Sequence, residues 1–255
     1  MNLAINNGQK TREKDFPKHP VITEEDKKAV VDVLESGNLS TFIASPGKNF
    51  LGGEKVRELE NTVANYFGVK YAVAYNSWTS GLHAAVVACG VEAGDEVIVP
   101  PYTFTSTATC ILMNNAIPIF ADVDPNTFCI DAESIRRKIT NKTKAIIVVH
   151  LFGAPANMDE IMKIAEEHNI KVIEDCAQSP GALYKDKFTG TIGDCGGISL
   201  TQSKTIMCGE GGVLYTNNEK IANAARMVRN HGEMLEEGKE RTYTTHILGW
   251  GYRIT

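Results

Sequence analysis

Short apolar segments alternate with amphipathic segments along most of the chain. Each apolar segment is continuous, which is typical of a strand buried on both faces, whereas the amphipathic segments repeat apolar residues at helical spacing. Strands are predicted at residues 71–75, 96–100, 117–123, 144–153, 171–176, 196–200 and 212–216. This order predicts an α/β fold in which helices cover both faces of a mostly parallel sheet.

Helices are predicted before and between these strands. The first covers residues 23–37, with Thr23 as its N-cap, and a glycine-containing loop, residues 38–53, follows it. We interpret the polar residues 1–20 as an N-terminal arm. The other predicted helices cover residues 54–68, 79–90, 107–115, 132–139, 158–169 and 219–230.

Composition narrows the classes of function. Apolar residues make up 43% of the chain and charged residues 22%, as in ordinary globular proteins, and the net charge of −5 disfavours nucleic acid as a partner. No apolar stretch approaches the ~20 residues of a membrane span, and the first residues lack the apolar core of a signal peptide. The six cysteines form no C-x-x-C pair or zinc-site spacing. We therefore expect a cytoplasmic protein with reduced thiols and no metal.

Ligands of parallel sheets bind beyond the carboxyl ends of the strands, so the residues after each strand carry the functional hypotheses. After the first strand, N-S-W-T-S-G at residues 76–81 leads into a helix, whose N-terminal N–H groups are either simply capped or bind a phosphate. The chain has no G-x-x-x-x-G-K-S/T and no G-x-G-x-x-G after its first strand. Both a P-loop and a nicotinamide dinucleotide site are disfavoured.

Aromatic and charged residues follow the later strands. Tyr102 and Phe104 come after the second strand, where such rings either pack or stack on a flat ligand. Glu174 and Asp175 end the fifth strand. Because neighbouring strand residues point to opposite faces, we expect one carboxylate to be structural and the other to face the ligand cleft. Lys204 follows the sixth strand and, taken alone, is a solvated loop lysine.

Together these groups match the needs of pyridoxal 5'-phosphate. Its phosphate binds backbone N–H groups and hydroxyls, its pyridine nitrogen pairs with a carboxylate, and its aldehyde forms a Schiff base with a lysine. Lys204 lies in S-L-T-Q-S-K-T-I-M-C-G-E-G-G, residues 199–212. We expect Gly211 and Gly212 to let the backbone turn tightly behind the cofactor.

The chain from about residue 19 to its last residue resembles the nucleotide-sugar aminotransferases of the DegT/StrS family, which are fold-type I pyridoxal phosphate enzymes. The motifs that carry the resemblance are VIVPPYTFTSTATCI, IPIFADVDPNTFCID, TKAIIVVHLFGAPANMDEI, VIEDCAQSPGALY and GEGGVLYTNN. Their order over more than two hundred residues implies the aspartate-aminotransferase-like large domain of that fold.

The resemblance assigns roles to individual residues. Lys204 looks like the lysine that carries the cofactor as a Schiff base and then moves protons as general base and acid. Asp175 matches the aspartate beside the pyridine nitrogen, and Gln178 the residue near the ring hydroxyl. Ser199 corresponds to a phosphate-binding hydroxyl and Phe104 to the stacking aromatic. The phosphate-binding turn aligns with Trp78 and Thr79, the former through its backbone N–H.

The implied activity is transfer of an amino group, typically from glutamate, to a nucleotide-linked keto-sugar in polysaccharide, antigen or antibiotic biosynthesis. The family also implies a homodimer with shared active sites. Relatives with dehydratase activity carry histidine in place of the lysine, so Lys204 favours amino transfer. A lyase, a desulfurase using Cys208 and a non-catalytic cofactor-binding relative stay open as alternatives, although we expect Cys208 to be a buried, inert thiol.

Two features depart from the family. Gly251, in L-G-W-G-Y-R-I-T, stands where relatives carry an asparagine that reaches the cofactor phosphate of the neighbouring subunit. Relatives also continue for about another third of their length, into a small domain. We therefore expect residues 21–240 to form the cofactor-binding large domain, residues 241–255 to begin a connection to a missing small domain, and the chain to be truncated.

Overall fold

The computed structural model describes residues 2–40, 42, 50–235 and 239–255. Most of the predicted loop 38–53 therefore lies outside the described residues. The chain divides into two compact units, Met1–Leu39 and Ser40–Thr255.

The first unit contains one α-helix, α1, at Glu24–Ser36. Thr23 is its N-cap as predicted: the Thr23 hydroxyl accepts a hydrogen bond from the Asp26 backbone N–H at 3.3 Å, and the Asp26 carboxylate accepts one from the Thr23 N–H at 2.7 Å. The helix ends at Gly37, which has a φ of 70°. This capping box satisfies N–H groups that a helix leaves unpaired, which explains why the sequence pattern located this helix well.

A seven-stranded sheet forms the centre of the second unit. Its order is β1-β9-β8-β5-β4-β2-β3, and every neighbouring pair is parallel except those that involve β9. The strands of the sheet are β1 Tyr71–Tyr75, β2 Glu96–Val99, β3 Ile117–Phe120, β4 Thr143–Val149, β5 Lys171–Asp175, β8 Cys195–Ser199 and β9 Gly212–Thr216. The predicted α/β fold with a mostly parallel sheet is confirmed.

The structure departs from the predicted strands in three places. A two-residue hairpin, β6 Leu183–Tyr184 and β7 Lys187–Phe188, has too short a pattern to be found in the sequence. The predicted strand 144–153 ends early at Val149, because Phe152 adopts a left-handed φ of 54°. The strand predicted at 117–123 ends at Phe120.

Within the described residues, six α-helices cover the two faces of the sheet. One face packs against α3 Trp78–Ala88, α4 Ser106–Leu112 and α7 Glu219–Arg229, and the other against α2 Gly53–Phe67, α5 Ala132–Lys138 and α6 Met158–His168. Strand side chains alternate between these faces: Val73 packs with the first set of helices, whereas Ala72 and Ala74 pack with α2. Continuous apolar strands are required because both faces are buried.

The chain reverses direction between β8 and β9 without an intervening helix. Parallel neighbours need a crossover connection, which is usually a helix, so β9 pairs antiparallel with β8. Lys204 lies in this reversal. The sequence pattern predicted both strands but not their relative direction.

Glycines near this reversal allow close packing. A Cβ on Gly212 would lie 2.5 Å from the backbone N and Cα of Trp78, and a Cβ on Gly197 would lie 2.1 Å from the Trp78 ring. Neither Gly211 nor Gly212 has a positive φ. The expectation that this glycine pair allows a tight turn is wrong, since Gly212 instead lets β9 approach the backbone at the start of α3.

The C-terminal segment packs against α3. The Asn76 backbone N–H donates to the Tyr252 carbonyl at 2.9 Å, and His83 Nδ1 lies 3.1 Å from the Tyr252 hydroxyl. The His83 ring also contacts the Trp250 ring at 4.4 Å. Burial lowers the pKa of His83 to about 4, because the imidazolium ion would lose its hydration.

We predict that His83 makes the protein sensitive to acid. Its unfolded-state pKa is about 6.5, so below that pH the unfolded chain takes up a proton that the folded chain refuses, and stability falls as the pH falls towards 4. Going from pH 7 to pH 5 should cost about 2 kcal/mol of unfolding free energy from this residue. Chemical denaturation at both pH values measures the loss.

The matched variants are His83→Phe and His168→Gln. Phenylalanine removes the titration, so the difference between pH 7 and pH 5 should shrink in His83→Phe, whatever the variant costs at both pH values. His168 is exposed, and its replacement should leave the difference unchanged. An equal loss in wild type and His83→Phe contradicts the prediction.

Candidate active site

One cavity of about 310 Å³ lies beyond the carboxyl ends of the parallel strands. This volume falls at the small end of the ~300–1,000 Å³ typical of small-molecule pockets. The structure brings every residue predicted for the site to its wall: Trp78, Thr79, Phe104, Asp175, Gln178, Ser199 and Lys204. These residues come from four separate stretches of the chain, and only the fold brings them together.

Asp175 is the buried carboxylate of this cavity and is 4% exposed. Its Oδ1 accepts hydrogen bonds from Trp78 Nε1 at 2.8 Å and from the Ala177 backbone N–H at 3.1 Å, and Oδ2 accepts one from Thr107 Oγ1 at 3.2 Å. Burial raises the pKa of Asp175, while these three donors and the charge of Lys204 oppose the rise. The carboxylate is desolvated but held by three hydrogen bonds.

Glu174 points to the other face of β5 and is fully buried there. Its carboxylate accepts hydrogen bonds from His150 Nε2 at 2.9 Å and from backbone N–H groups of Gly190, Ile192 and Gly193. His150 Nδ1 accepts from the Ala156 N–H, which assigns the ring proton to Nε2. The expected division into one structural and one cleft-facing carboxylate is confirmed.

Lys204 is half-buried at the cavity wall, and its backbone N–H donates to the Thr201 carbonyl at 2.9 Å. Among the residues described, no carboxylate lies within 4.0 Å of its Nζ. Its charge nevertheless interacts favourably with Asp175. An amine that no close ion pair holds is available to react with a ligand carbonyl.

Hydroxyl groups and a helix N-terminus form another part of the wall. Ser77 caps α3 by accepting a hydrogen bond from the Ser80 N–H at 3.1 Å, so Trp78 and Thr79 begin the helix with N–H groups that have no intrahelical acceptor. Ser199 Oγ donates to Thr201 Oγ1 at 3.1 Å on the same cavity. Both features suit an anionic group such as a phosphate.

The two candidate aromatic residues, Tyr102 and Phe104, have different surroundings in the structure. Phe104 is 68% exposed and lines the cavity. Tyr102 instead packs against Phe128 and Phe152, with ring centroids 5.9 and 6.3 Å away. Gln178, also on the cavity wall, accepts a hydrogen bond from the Phe152 N–H at 2.9 Å. Of the two rings, Phe104 lines the cavity and Tyr102 does not.

Cys208 lies outside this arrangement. Cys208 is exposed in the loop between β8 and β9, so the expectation of a buried thiol is wrong. Its Sγ lies 3.3 Å from the Glu210 carbonyl oxygen. Partial desolvation and the Glu210 charge raise the pKa of this thiol. A thiol with a raised pKa is a poor nucleophile, which disfavours a desulfurase role.

The sequence alone did not identify several polar residues of the site. Thr107 binds Asp175, and Thr201 Oγ1 donates to the Glu210 carboxylate at 3.2 Å on the cavity wall. Threonines and glutamates are common in the chain, and only the packing shows which of them face the site. Among the described residues there is no cluster of three His, Cys, Asp or Glu side chains able to hold a metal, and no helix long and apolar enough to cross a membrane.

Pyridoxal phosphate fits the residues present. Among the described residues the buried Asp175 carboxylate has hydrogen-bond donors but no ion-pair partner within 4.0 Å, and a protonated pyridine nitrogen would supply a cationic one. The α3 N-terminus with Ser199 offers donors for the phosphate, and Lys204 offers the amine. Hydrogen bonds orient the side chains of Asp175 and Ser199, and both residues line the cavity together with Trp78, Thr79 and Lys204.

Comparison with known proteins agrees with this fit. A sequence profile of the DegT/DnrJ/EryC1/StrS aminotransferase family matches residues 20–255. GDP-perosamine synthase of Caulobacter vibrioides is 41% identical over 216 residues, which are 85% of this chain and 56% of that protein.

Solved structures agree as well. An aminotransferase from Psychrobacter cryohalolentis superposes with a TM-score of 0.84 at 36% identity, over 94% of this chain and 60% of that one. GDP-4-keto-6-deoxy-D-mannose-3-dehydratase of Escherichia coli, solved with bound hydrated pyridoxal phosphate, superposes with a TM-score of 0.82 at 29% identity, over 94% of this chain and 64% of that one.

This chain spans less than two thirds of the length of each of these three proteins. The match of sequence profile and fold extends over nearly all of the chain itself. It confirms the fold-type I architecture and pyridoxal phosphate as the cofactor of the family. This chain belongs to the DegT/DnrJ/EryC1/StrS aminotransferase family.

Proposed function

We propose that the protein transfers an amino group from an amino acid to a nucleotide-linked keto-sugar. The observation that carries this proposal is the single cavity that holds a buried, hydrogen-bonded Asp175 together with Lys204. The family is one of aminotransferases, and one relative is named for the synthesis of a nucleotide-linked amino sugar, GDP-perosamine. We propose glutamate as the donor and polysaccharide or antibiotic sugar biosynthesis as the setting.

Each residue predicted for the site has a defined task in this proposal. Lys204 would hold the cofactor through its Nζ and, once that amine is free, would carry a proton between carbon and nitrogen of the substrate. Asp175 stays ionised and binds the pyridine nitrogen. Ser199 and the start of α3 at Trp78 and Thr79 bind the phosphate. Bound pyridoxal phosphate supplies the electron sink for the proton transfers.

Other parts of the wall orient the ring and the substrate. Phe104 stacks on the ring face, and Gln178 lies beside the ring edge. We propose a cytoplasmic homodimer in which residues 21–240 form the cofactor-binding domain. In such a dimer a second copy of the chain contributes the outer part of the sugar site.

We predict that the purified chain, loaded with pyridoxal phosphate, loses its visible absorption band when glutamate is added. Conversion of the bound cofactor to its aminated form is the first half of the transfer, and the absorption spectrum measures it directly. Adding a nucleotide-linked 4-keto sugar should restore the band and yield an amino sugar, which mass spectrometry detects.

The same assay tests the alternatives. Loss of a sugar hydroxyl without gain of nitrogen indicates a dehydratase, the activity named for one structural relative. A visible band that no amino acid changes indicates a passive cofactor binder. Either result contradicts the proposed amino transfer.

A further inference from the structure

The indole of Trp78 occupies a slot that two glycines create. The residue is 3% exposed. A Cβ on Gly197 would lie 2.1 Å from Cζ3 and Cη2 of the ring, and a Cβ on Gly81 would lie 2.6 Å from Cε3. Any larger residue at either position would push the indole out. The slot therefore determines where the indole nitrogen points.

That nitrogen points at Asp175. Trp78 Nε1 donates to Oδ1 at 2.8 Å, the shortest of the three hydrogen bonds to this carboxylate. An indole N–H can donate but cannot accept, so it stabilises an ionised carboxylate more than a protonated one. The backbone N–H of Ala177 reinforces the same oxygen, and Thr107 holds the other.

We propose that the Trp78 side chain is a positioning residue, whose indole N–H keeps Asp175 ionised and correctly oriented for the pyridine nitrogen. This role differs from the backbone contact with the phosphate considered above. The assignment of the ring nitrogen as the partner of Asp175 rests on the proposed function. The effect of the indole on the ionisation of Asp175 does not rest on that function.

A purely packing role makes a different prediction. Packing energy does not depend on whether Asp175 is ionised, whereas a hydrogen bond to the anion does. A hydrogen bond to a charged group contributes about 1.5–3 kcal/mol, which corresponds to a pKa change of roughly one to two units. The pH dependence therefore separates the two roles.

Few other titratable groups near Asp175 compete with this effect, and the Asp175→Asn comparison separates it from the titration of His83, which lies on the same helix as Trp78. Lys204 is the cation that acts on Asp175, and Glu174 lies on the opposite face of β5. The thiols of Cys110 and Cys176 and the hydroxyl of Tyr215 are also near, but burial raises the pKa of each far above neutrality. Between acid and neutral pH, these three groups keep their protons.

The first experiment uses the cofactor-free protein. The chain contains two tryptophans, so Trp250→Phe leaves Trp78 as the only indole. We expect the fluorescence of Trp78 to titrate with a carboxyl group between acid and neutral pH. Adding Asp175→Asn should abolish this titration. A titration that persists with Asp175→Asn, or no titration at all, overturns the proposal.

The second experiment measures the dissociation constant for pyridoxal phosphate from acid to neutral pH. Affinity should fall on the acid side as Asp175 gains a proton, and Trp78→Phe should move this fall to higher pH by about one unit. Thr107→Val, which removes the donor to Oδ2, should move it in the same direction. Trp250→Phe, outside the cavity, should leave it in place.

The outcomes are distinct. An affinity that drops equally at all pH values in Trp78→Phe shows a packing role and overturns the proposal. If the wild-type chain does not bind pyridoxal phosphate at any pH, the proposed function fails. The fluorescence titration then still decides whether Trp78 controls the ionisation of Asp175.

Discussion

Replacing Lys204 with alanine is expected to abolish both turnover and the visible absorption band of the bound cofactor. The Lys204 amine is the only lysine nitrogen at the wall of the described cavity, so no other side chain there can form the covalent link. The same amine is proposed to move the proton between carbon and nitrogen. Spectroscopy of the variant after mixing with pyridoxal phosphate, together with the coupled assay, measures both losses.

Two control variants test whether the amine of Lys204, and not only its positive charge, is required. Lys204→Arg keeps the positive charge near Asp175 but cannot form the covalent link, so it should be as inactive as Lys204→Ala. Lys220→Ala removes an exposed lysine at the start of α7, away from the cavity, and should behave as wild type. Turnover that survives in either Lys204 variant contradicts the proposed role.

Asp175→Asn is expected to retain part of the cofactor affinity but lose most of the rate. The amide keeps the shape and can still accept from the Trp78 indole, but it carries no charge to hold a proton on the pyridine nitrogen. Removing one partner of a buried charge pair costs about 2–5 kcal/mol, and a loss of about 3 kcal/mol lowers the rate roughly a hundredfold. Single-turnover kinetics with glutamate measure this loss without the sugar substrate.

The same variant should not destabilise the cofactor-free protein at neutral pH. Burial raises the pKa of Asp175, so the ionised form costs the folded state free energy as the pH rises through that pKa. A neutral amide avoids this cost. Thermal unfolding at neutral pH should therefore give a melting temperature equal to or above that of wild type.

An exposed aspartate provides the comparison. Asp186 lies in the turn between β6 and β7 with a φ of 65°, which asparagine also tolerates, so Asp186→Asn should change neither rate nor stability. If Asp175→Asn keeps the full rate, the pyridine nitrogen does not depend on this carboxylate. If the melting temperature of Asp175→Asn at neutral pH is well below that of wild type, the buried charge of Asp175 does not destabilise the folded protein.

Much of the fold could be predicted from local patterns. The seven strands of the sheet and the described helices lie where apolar periodicity placed them, because burial on two faces or on one stripe leaves its period in the sequence. The β6–β7 hairpin was missed because two-residue strands carry no period. The early end of β4 was missed because the left-handed Phe152 depends on contacts with a distant loop.

The candidate site could be predicted in part for a similar reason. Asp175 ends one strand and Lys204 follows another, and strand ends meet at one edge of a parallel sheet, so their order along the chain already implied that they are close. The roles of Thr107 and of the Trp78 side chain could not be predicted. Each depends on which way a side chain turns once the helices pack.

By itself the sequence predicted the seven strands of the sheet and the helices, the family, and the placement of Asp175 and Lys204 at one edge of the sheet, because these depend on periodicity and on the order of motifs. Only the tertiary structure decided that β9 runs antiparallel to β8, that β9 packs closely against the start of α3 at Gly212, and that the Trp78 indole N–H donates to Asp175. These three features arise from contacts between residues more than ten positions apart in the chain. Such contacts are set by packing geometry, which leaves no local pattern in the sequence.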